Sequence, residues 1–158
     1  MPGTLGGVWT DSGGITGIGY EGKTIEQLVA DLSAFEVTIL VDVRLNAISR
    51  KKGFSKRALA EALDAAGISY QHRPELGNAR DNRAGFSEEW STDMGRTARD
   101  IYTDGLTRPD AALAIEELAD LAITNKVVLL CFEASELHCH RREALAAIRI
   151  RMDELVGA

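Results

Sequence analysis

Cysteine is scarce in this chain: Cys131 and Cys139 are the two in 158 residues. Two thiols are too few for a disulfide scaffold and ordinary for a reducing compartment, so the fold must rest on an apolar core. Long hydrophobic runs are lacking as well. No stretch reaches the roughly 20 consecutive apolar residues that a membrane-crossing helix needs, and the amino terminus lacks the charged-then-apolar pattern of an export signal. No membrane partner is expected, and the expected location is the cytoplasm. Positive charge is in deficit. The net charge of −6 argues against coating nucleic acid or an acidic membrane by bulk electrostatics, because most of the surface would repel phosphate. No internal repeat, heptad run or low-complexity segment occurs, which removes solenoids and coiled coils. What remains is a 45% apolar composition, sufficient for one core of ordinary domain size. Residues 1–14 are expected to form an irregular glycine-rich lead-in with a short strand around Val8, and residues 15–158 a single α/β domain.

The hydrophobic pattern alternates between strand and helix. Ile15 to Gly19 is a short apolar run; Ile25, Leu28, Val29 and Leu32 then recur at helical spacing. Thr24 and Gln27 have the spacing of a capping box, in which each side chain satisfies a backbone donor at the helix start. Val37 to Val43 is β-branched and apolar up to Asp42, as expected of a strand covered on both faces. Ser55 is placed to cap a helix bearing Leu59, Ala62, Leu63 and Ala66, and Ile68 to His72 reads as the next strand. A long polar loop from Arg73 to Gly85 follows, then a helix over Ser87 to Tyr102. Thr107, Pro109 and Asp110 open another helix, with Ile115, Leu118, Ala119 and Ala122 as its buried stripe. Val127 to Phe132 is a second strongly apolar strand, and a closing helix begins near Leu137 to His140. Such alternation implies right-handed crossovers and an open, mostly parallel sheet of four to five strands with helices on both faces.

In a sheet of this kind, ligands bind in the crevice beyond the carboxyl ends of the strands. The polar residues emerging there are Tyr20 and Glu21, Asp42 and Arg44, His72 and Glu75 with Asn78, and Glu133 with His138, Cys139, His140 and Arg141. Asp42 and Arg44 are two apart and share a strand face, so they either pair to fix the following loop or present a base and a cation together. A helix starting near His138 would direct unpaired N–H groups at an anion and lower the pKa of Cys139. Arg141 would add a planar anion donor. Cys131 reads as core packing.

Within the acidic chain, Arg50 to Arg57 gathers Arg50, Lys51, Lys52, Lys56 and Arg57 around Phe54. That loop is either a solvated charge run or a contact for phosphate. Zinc is the less favoured alternative, since there is one Cys-His cluster and an isolated His72 rather than two close ligand pairs; no cofactor is expected. Gly17-Ile18-Gly19-Tyr20-Glu21-Gly22 matches a dinucleotide fingerprint by letter. Its glycines begin inside the strand, however, and Glu21 would set a carboxylate against a pyrophosphate, so the segment reads as a turn.

Taken together, Ile18-Gly19-Tyr20-Glu21-Gly22, Asp42-Val43-Arg44, Ser49-Arg50, Gly53-Phe54-Ser55, Glu75-Leu76-Gly77-Asn78, Cys131-Phe132-Glu133 and Cys139-His140-Arg141 resemble the family catalogued as domain of unknown function 488, across most of the chain. The resemblance implies a compact α/β domain with its motifs at strand ends, and no activity. Asn46-Ala47 stands where similar proteins are expected to carry Asn-Pro. The leading functional expectation is a domain that binds or acts on a phosphate-bearing ligand, such as a nucleotide, a sugar phosphate or a nucleic-acid end. Arg44, Arg50 and Arg141 would contact the anion, Asp42, Glu133 or His140 would carry protons, and Tyr20, Glu21, Glu75, Asn78 and Cys139 would complete the site. The alternatives are a noncatalytic module that binds nucleic acid or an acidic protein through the Arg50–Arg57 loop, and a metal-assisted hydrolase.

Overall fold

The computed structural model describes residues 8–9 and 13–157. Its centre is a five-stranded sheet in the order β1-β2-β5-β3-β4, with β1 Val8–Trp9, β2 Gly14–Gly19, β3 Ile39–Asp42, β4 Ser69–His72 and β5 Lys126–Cys131. The last four run parallel, and β1 pairs antiparallel with β2 at the edge. The helices are α1 Ile25–Ala34, α2 Lys56–Ala65, α3 Arg83–Phe86, α4 Asp93–Gly105, α5 Pro109–Thr124 and α6 Arg141–Gly157. This is the open, helix-covered parallel sheet that the alternating pattern predicts.

Side chains alternate across the central strands, and both faces are buried. Ile39, Val41, Val127 and Leu129 join Ala111, Leu118, Leu145 and Ile148 in the core beneath α4, α5 and α6. Leu40, Val128 and Leu130 face the other way and pack with Leu28, Leu32, Leu59 and Leu63 of α1 and α2. Each fully buried leucine contributes about 2 kcal/mol of transfer free energy. The two cores fix β3 and β5 in register, which places Asp42 opposite Leu130 on one side and His72 on the other.

Local chemistry explains the helix ends. Thr24 and Gln27 form both bonds of the predicted capping box, at 3.1 and 2.8 Å. Ser55 occupies the cap position of α2, but its hydroxyl is engaged with the backbone of Ser49 instead. The loop predicted over Arg73–Gly85 runs into a short helix, α3, and the helix predicted over Ser87–Tyr102 starts only after Thr92, whose hydroxyl accepts from Gly95 N–H. The intervening loop crosses the first turn of α4 so closely that a Cβ on Gly95 would lie 2.1 Å from the Glu89 carbonyl oxygen. The closing helix begins at Arg141, after a single 3-10 turn at Glu136–His138. Cys139 and His140 therefore lie just before its first residue.

The connections after β2 and β3 lead to helices on one face, whereas the connection after β5 leads to α6 on the other. Neighbouring strands whose chains depart to opposite faces leave a crevice between them. Here that crevice opens beyond Asp42 and Cys131.

Candidate ligand-binding cleft

Arg44 leaves the end of β3 and folds back onto it. Its Nε and Nη2 donate to the two oxygens of Asp42 at 2.8 and 2.7 Å, a bidentate pair in which Asp42 is fully buried and Arg44 6% exposed. Nη1 donates to the Phe54 carbonyl at 2.7 Å and to the Tyr20 hydroxyl at 3.2 Å. Of the five N–H groups on a guanidinium, four are thus held by protein, and the Tyr70 phenol lies beside the guanidinium as well. Asp42 also accepts from the Arg44 backbone N–H at 3.1 Å and from the Tyr70 hydroxyl at 2.6 Å. Burial and the Asp42 carboxylate push the Tyr70 phenol above its ordinary pKa. With four donors already on Asp42, its chemistry is that of a positioning group.

Across the crevice, Cys131, Glu133, Cys139 and His140 form a second polar cluster. A Cβ on Gly19 would fall 1.8 Å from the Glu133 carbonyl oxygen, so only glycine lets the chain after β5 cross the end of β2 there. Arg141 secures this crossing by donating to the carbonyls of Glu133 and Ala134. The Cys131 thiol donates to Glu133 Oε2 at 3.3 Å, and His140 Nδ1 lies 3.8 Å from the sulfurs of both cysteines. The other ring nitrogen, Nε2, is 3.0 Å from the Val43 carbonyl. A carbonyl can only accept, so Nε2 carries a proton and Nδ1 is the atom presented to the sulfurs. This bond also ties the Asp42-Val43-Arg44 segment directly to the Cys139-His140-Arg141 segment.

Charges within the cluster are coupled. Burial opposes ionisation of Cys139, but hydrogen bonds from Cys131 and His140 outweigh it and hold that thiol well below its usual range. Cys131, bonded to the Cys139 sulfur and buried, is held well above it. Burial acts against charge on His140, and the Cys139 sulfur more than offsets this, so the imidazole is raised. Glu133 is raised by burial and then by the negative Cys139.

A cleft of about 250 Å³ separates the two clusters, lined by Tyr20, Arg44, Asn46, Asn78, Arg83, Phe86, Cys131, Phe132, Glu133, His138 and His140 among others. Tyr20 stacks on Phe54 at 4.4 Å and meets Phe132 edge-on at 5.3 Å, which gives the cleft an aromatic wall. Of the residues expected at the site, Tyr20, Arg44, Asn78, Glu133 and His140 border this cleft, with Asp42 behind Arg44 and Cys139 behind His140. The others are placed elsewhere. Glu21 accepts from Ala134 N–H, Arg50 is exposed away from the cleft wall, and Glu75 pairs with Arg73. Arg141 is turned into the loop carbonyls.

Sequence reasoning overlooked Cys131 and Arg83 as members of the site, and Tyr70 as the partner of Asp42. Cys131 carried a usable signal, since it ends β5 immediately before the polar run. Tyr70 is one position beyond Ser69 on β4, and only the parallel register brings it beside β3.

Among the described residues, no helix is long and apolar enough to cross a membrane. The fold and its crevice define an α/β domain of the open parallel-sheet class, with a polar cleft at the carboxyl ends of its strands. Residues 24–148 match the family model described as Domain of unknown function DUF488, and the chain belongs to this family. No curated protein and no solved structure matches it.

Proposed function

We propose that this cleft takes a phosphate-bearing small molecule, with its anion toward Arg83, Arg44 and Asn78 and its reacting or recognised end toward Glu133, Cys131 and His140. One observation carries the reading: a single cleft joins cations and amides on one wall to a carboxylate, the Cys131 thiol and two imidazoles at the other. Arg83 is exposed at the mouth, with its charge available to a ligand. Arg44 borders the cleft with its guanidinium held in a fixed orientation by Asp42. Fixed donors of this kind lose little entropy on binding.

The size of the cleft favours a sugar phosphate or a nucleoside monophosphate over a polymer, since about 250 Å³ is below the usual span of drug-sized pockets, roughly 300–1,000 Å³. The basic loop does not border it. Within that loop, Lys51 donates to the Tyr20 carbonyl and Arg57 pairs with Glu61, while Arg50, Lys52 and Lys56 are exposed. A noncatalytic polyanion-binding role therefore has less support.

The test is equilibrium binding of inorganic phosphate, sugar phosphates and nucleoside monophosphates to the protein and to Arg83→Ala. A charge-assisted hydrogen bond contributes about 1.5–3 kcal/mol, so Arg83→Ala should weaken the best ligand by roughly 10- to 150-fold. Failure of every compound to bind, or an unchanged affinity in the variant, overturns the reading.

A further inference from the structure

Cys131 and Cys139 are both free thiols, buried beside one another and His140 where the apolar core meets the polar cleft. Packing alone does not call for three polar groups pointing at a common centre. Their ligating atoms, the two Sγ and His140 Nδ1, all lie within 4.8 Å of one another, and Nδ1 is 3.8 Å from each sulfur. A tetrahedral ion with metal–sulfur bonds of about 2.3 Å and a metal–nitrogen bond of about 2.05 Å requires S···N separations near 3.6 Å and an S···S separation near 3.8 Å. The observed S···N distances come within a few tenths of an ångström of that requirement, and the two sulfurs, within 4.8 Å of each other, would draw together by up to about 1 Å on binding.

We propose that Cys131, Cys139 and His140 bind a zinc-class divalent cation. Three features support the assignment besides the distances. The Nε2–H of His140 is anchored on the Val43 carbonyl at 3.0 Å, the outer-shell bond that fixes the tautomer and aims the other nitrogen at a metal. Two sulfur ligands and one imidazole select a borderline-soft ion over magnesium or calcium, which prefer oxygen. Among the described residues the cluster offers three ligand atoms, and the remaining histidines are engaged elsewhere: His72 with the Arg44 carbonyl and His138 Nδ1 with the Phe86 carbonyl.

Structural zinc sites close with four protein ligands, whereas sites with three keep a position for substrate or solvent. Cys131, His140 and Glu133 all line the cleft, so the fourth position opens into it, with the Glu133 carboxylate 3.3 Å from the Cys131 sulfur. The cation would then lie at the floor of the ligand cleft as a Lewis acid within reach of a bound oxygen. The inference rests on the geometry of the cluster and not on the phosphate reading. Metal uptake is measured with no organic ligand present, so either idea can fail alone.

The experiment titrates Co(II) into the reduced, chelator-treated full chain, followed by competition with Zn(II). The expected result is uptake of one equivalent, with the near-ultraviolet charge-transfer bands of thiolate–cobalt bonds and the intense visible bands of a tetrahedral ion. One equivalent of Zn(II) should abolish these bands, and Cys131→Ser and Cys139→Ser should each lose or sharply reduce them. As a measurement that needs no variant, both thiols of the wild-type protein should be alkylated at least 10-fold more slowly with Zn(II) bound. Substoichiometric uptake, a spectrum without thiolate bands, equal alkylation rates with and without zinc, or unchanged spectra in correctly folded serine variants would overturn the proposal. So would a finding that the two cysteines form only a reversible disulfide and take up no metal after reduction.

Discussion

Replacing Asp42 with alanine isolates the arrangement on which the cleft wall depends. Its carboxylate is fully buried and accepts from Arg44 Nε, Arg44 Nη2, the Arg44 backbone N–H and the Tyr70 hydroxyl. Removing it strands a guanidinium that is 6% exposed. Breaking a buried pair from one side costs about 3–5 kcal/mol, because the surviving charge is desolvated without compensation. For a chain of this length, 1 kcal/mol corresponds to roughly 2–4 °C in Tm, so Asp42→Ala should lower Tm by about 6–20 °C. Urea unfolding should show the same loss in midpoint with an unchanged slope, provided the transition stays two-state. The double variant Asp42→Leu with Arg44→Met removes both charges and should be more stable than Asp42→Ala. If Asp42→Ala costs under about 1 kcal/mol, the range of a solvated surface pair, then Arg44 is not held as argued and its direction into the cleft has no structural basis.

Other outcomes follow from the same contacts. Tyr70→Phe deletes a hydrogen bond to a carboxylate and should cost about 1.5–3 kcal/mol in urea unfolding; no measurable loss would mean that Asp42 does not need this donor. Gly19→Ala forces the Glu133 backbone away from the end of β2, and about 1–3 kcal/mol of strain is expected, together with weaker binding of any cleft ligand. Thr24→Ala removes the α1 cap at a cost of about 1 kcal/mol and should leave ligand affinity unchanged, which makes it a control for stability effects. Lys52→Glu with Lys56→Glu should also leave the affinity for a small phosphate ligand within about 2-fold, the cations being screened at this range; a larger loss would move the anion site toward the basic loop.

Much of the architecture was legible because its signals are local. The β-branched run ending at Asp42, the apolar run ending at Cys131, the Thr24–Gln27 box and the Pro109 helix start each depend on a few adjacent residues. The crevice was legible for a different reason: parallel topology sends every strand's carboxyl end to the same rim, so Tyr20, Arg44, Asn78, Glu133 and His140 could be grouped without coordinates. What each side chain does there was not. Asp42 read either as the partner of Arg44 or as a base, and the structure shows the pair, with the register of β3 and β4 bringing Tyr70 onto its second oxygen. Arg141 has the chemistry of an anion donor, but a close crossing at Gly19 supplies carbonyls that claim it first. Cys131 ends its apolar strand just before the polar run, a signal of the site, but its meeting with Cys139, eight residues later, depends on the fold-back of the chain. The late start of α4 was hidden because the periodicity of Ser87–Tyr102 does not reveal a loop packed on Gly95.

The central claim is that the two polar segments, Asp42-Val43-Arg44 and Cys139-His140-Arg141, form one ligand-binding cleft rather than two unrelated structural clusters. Backbone amide NMR of the labelled protein during titration with a nucleoside monophosphate, using inorganic phosphate as the minimal probe, tests this most directly. The account predicts saturable shifts concentrated at Tyr20, Arg44, Asn78, Arg83, Phe132, Glu133 and His140. Shifts confined to residues 50–57, or none up to millimolar ligand, would contradict it.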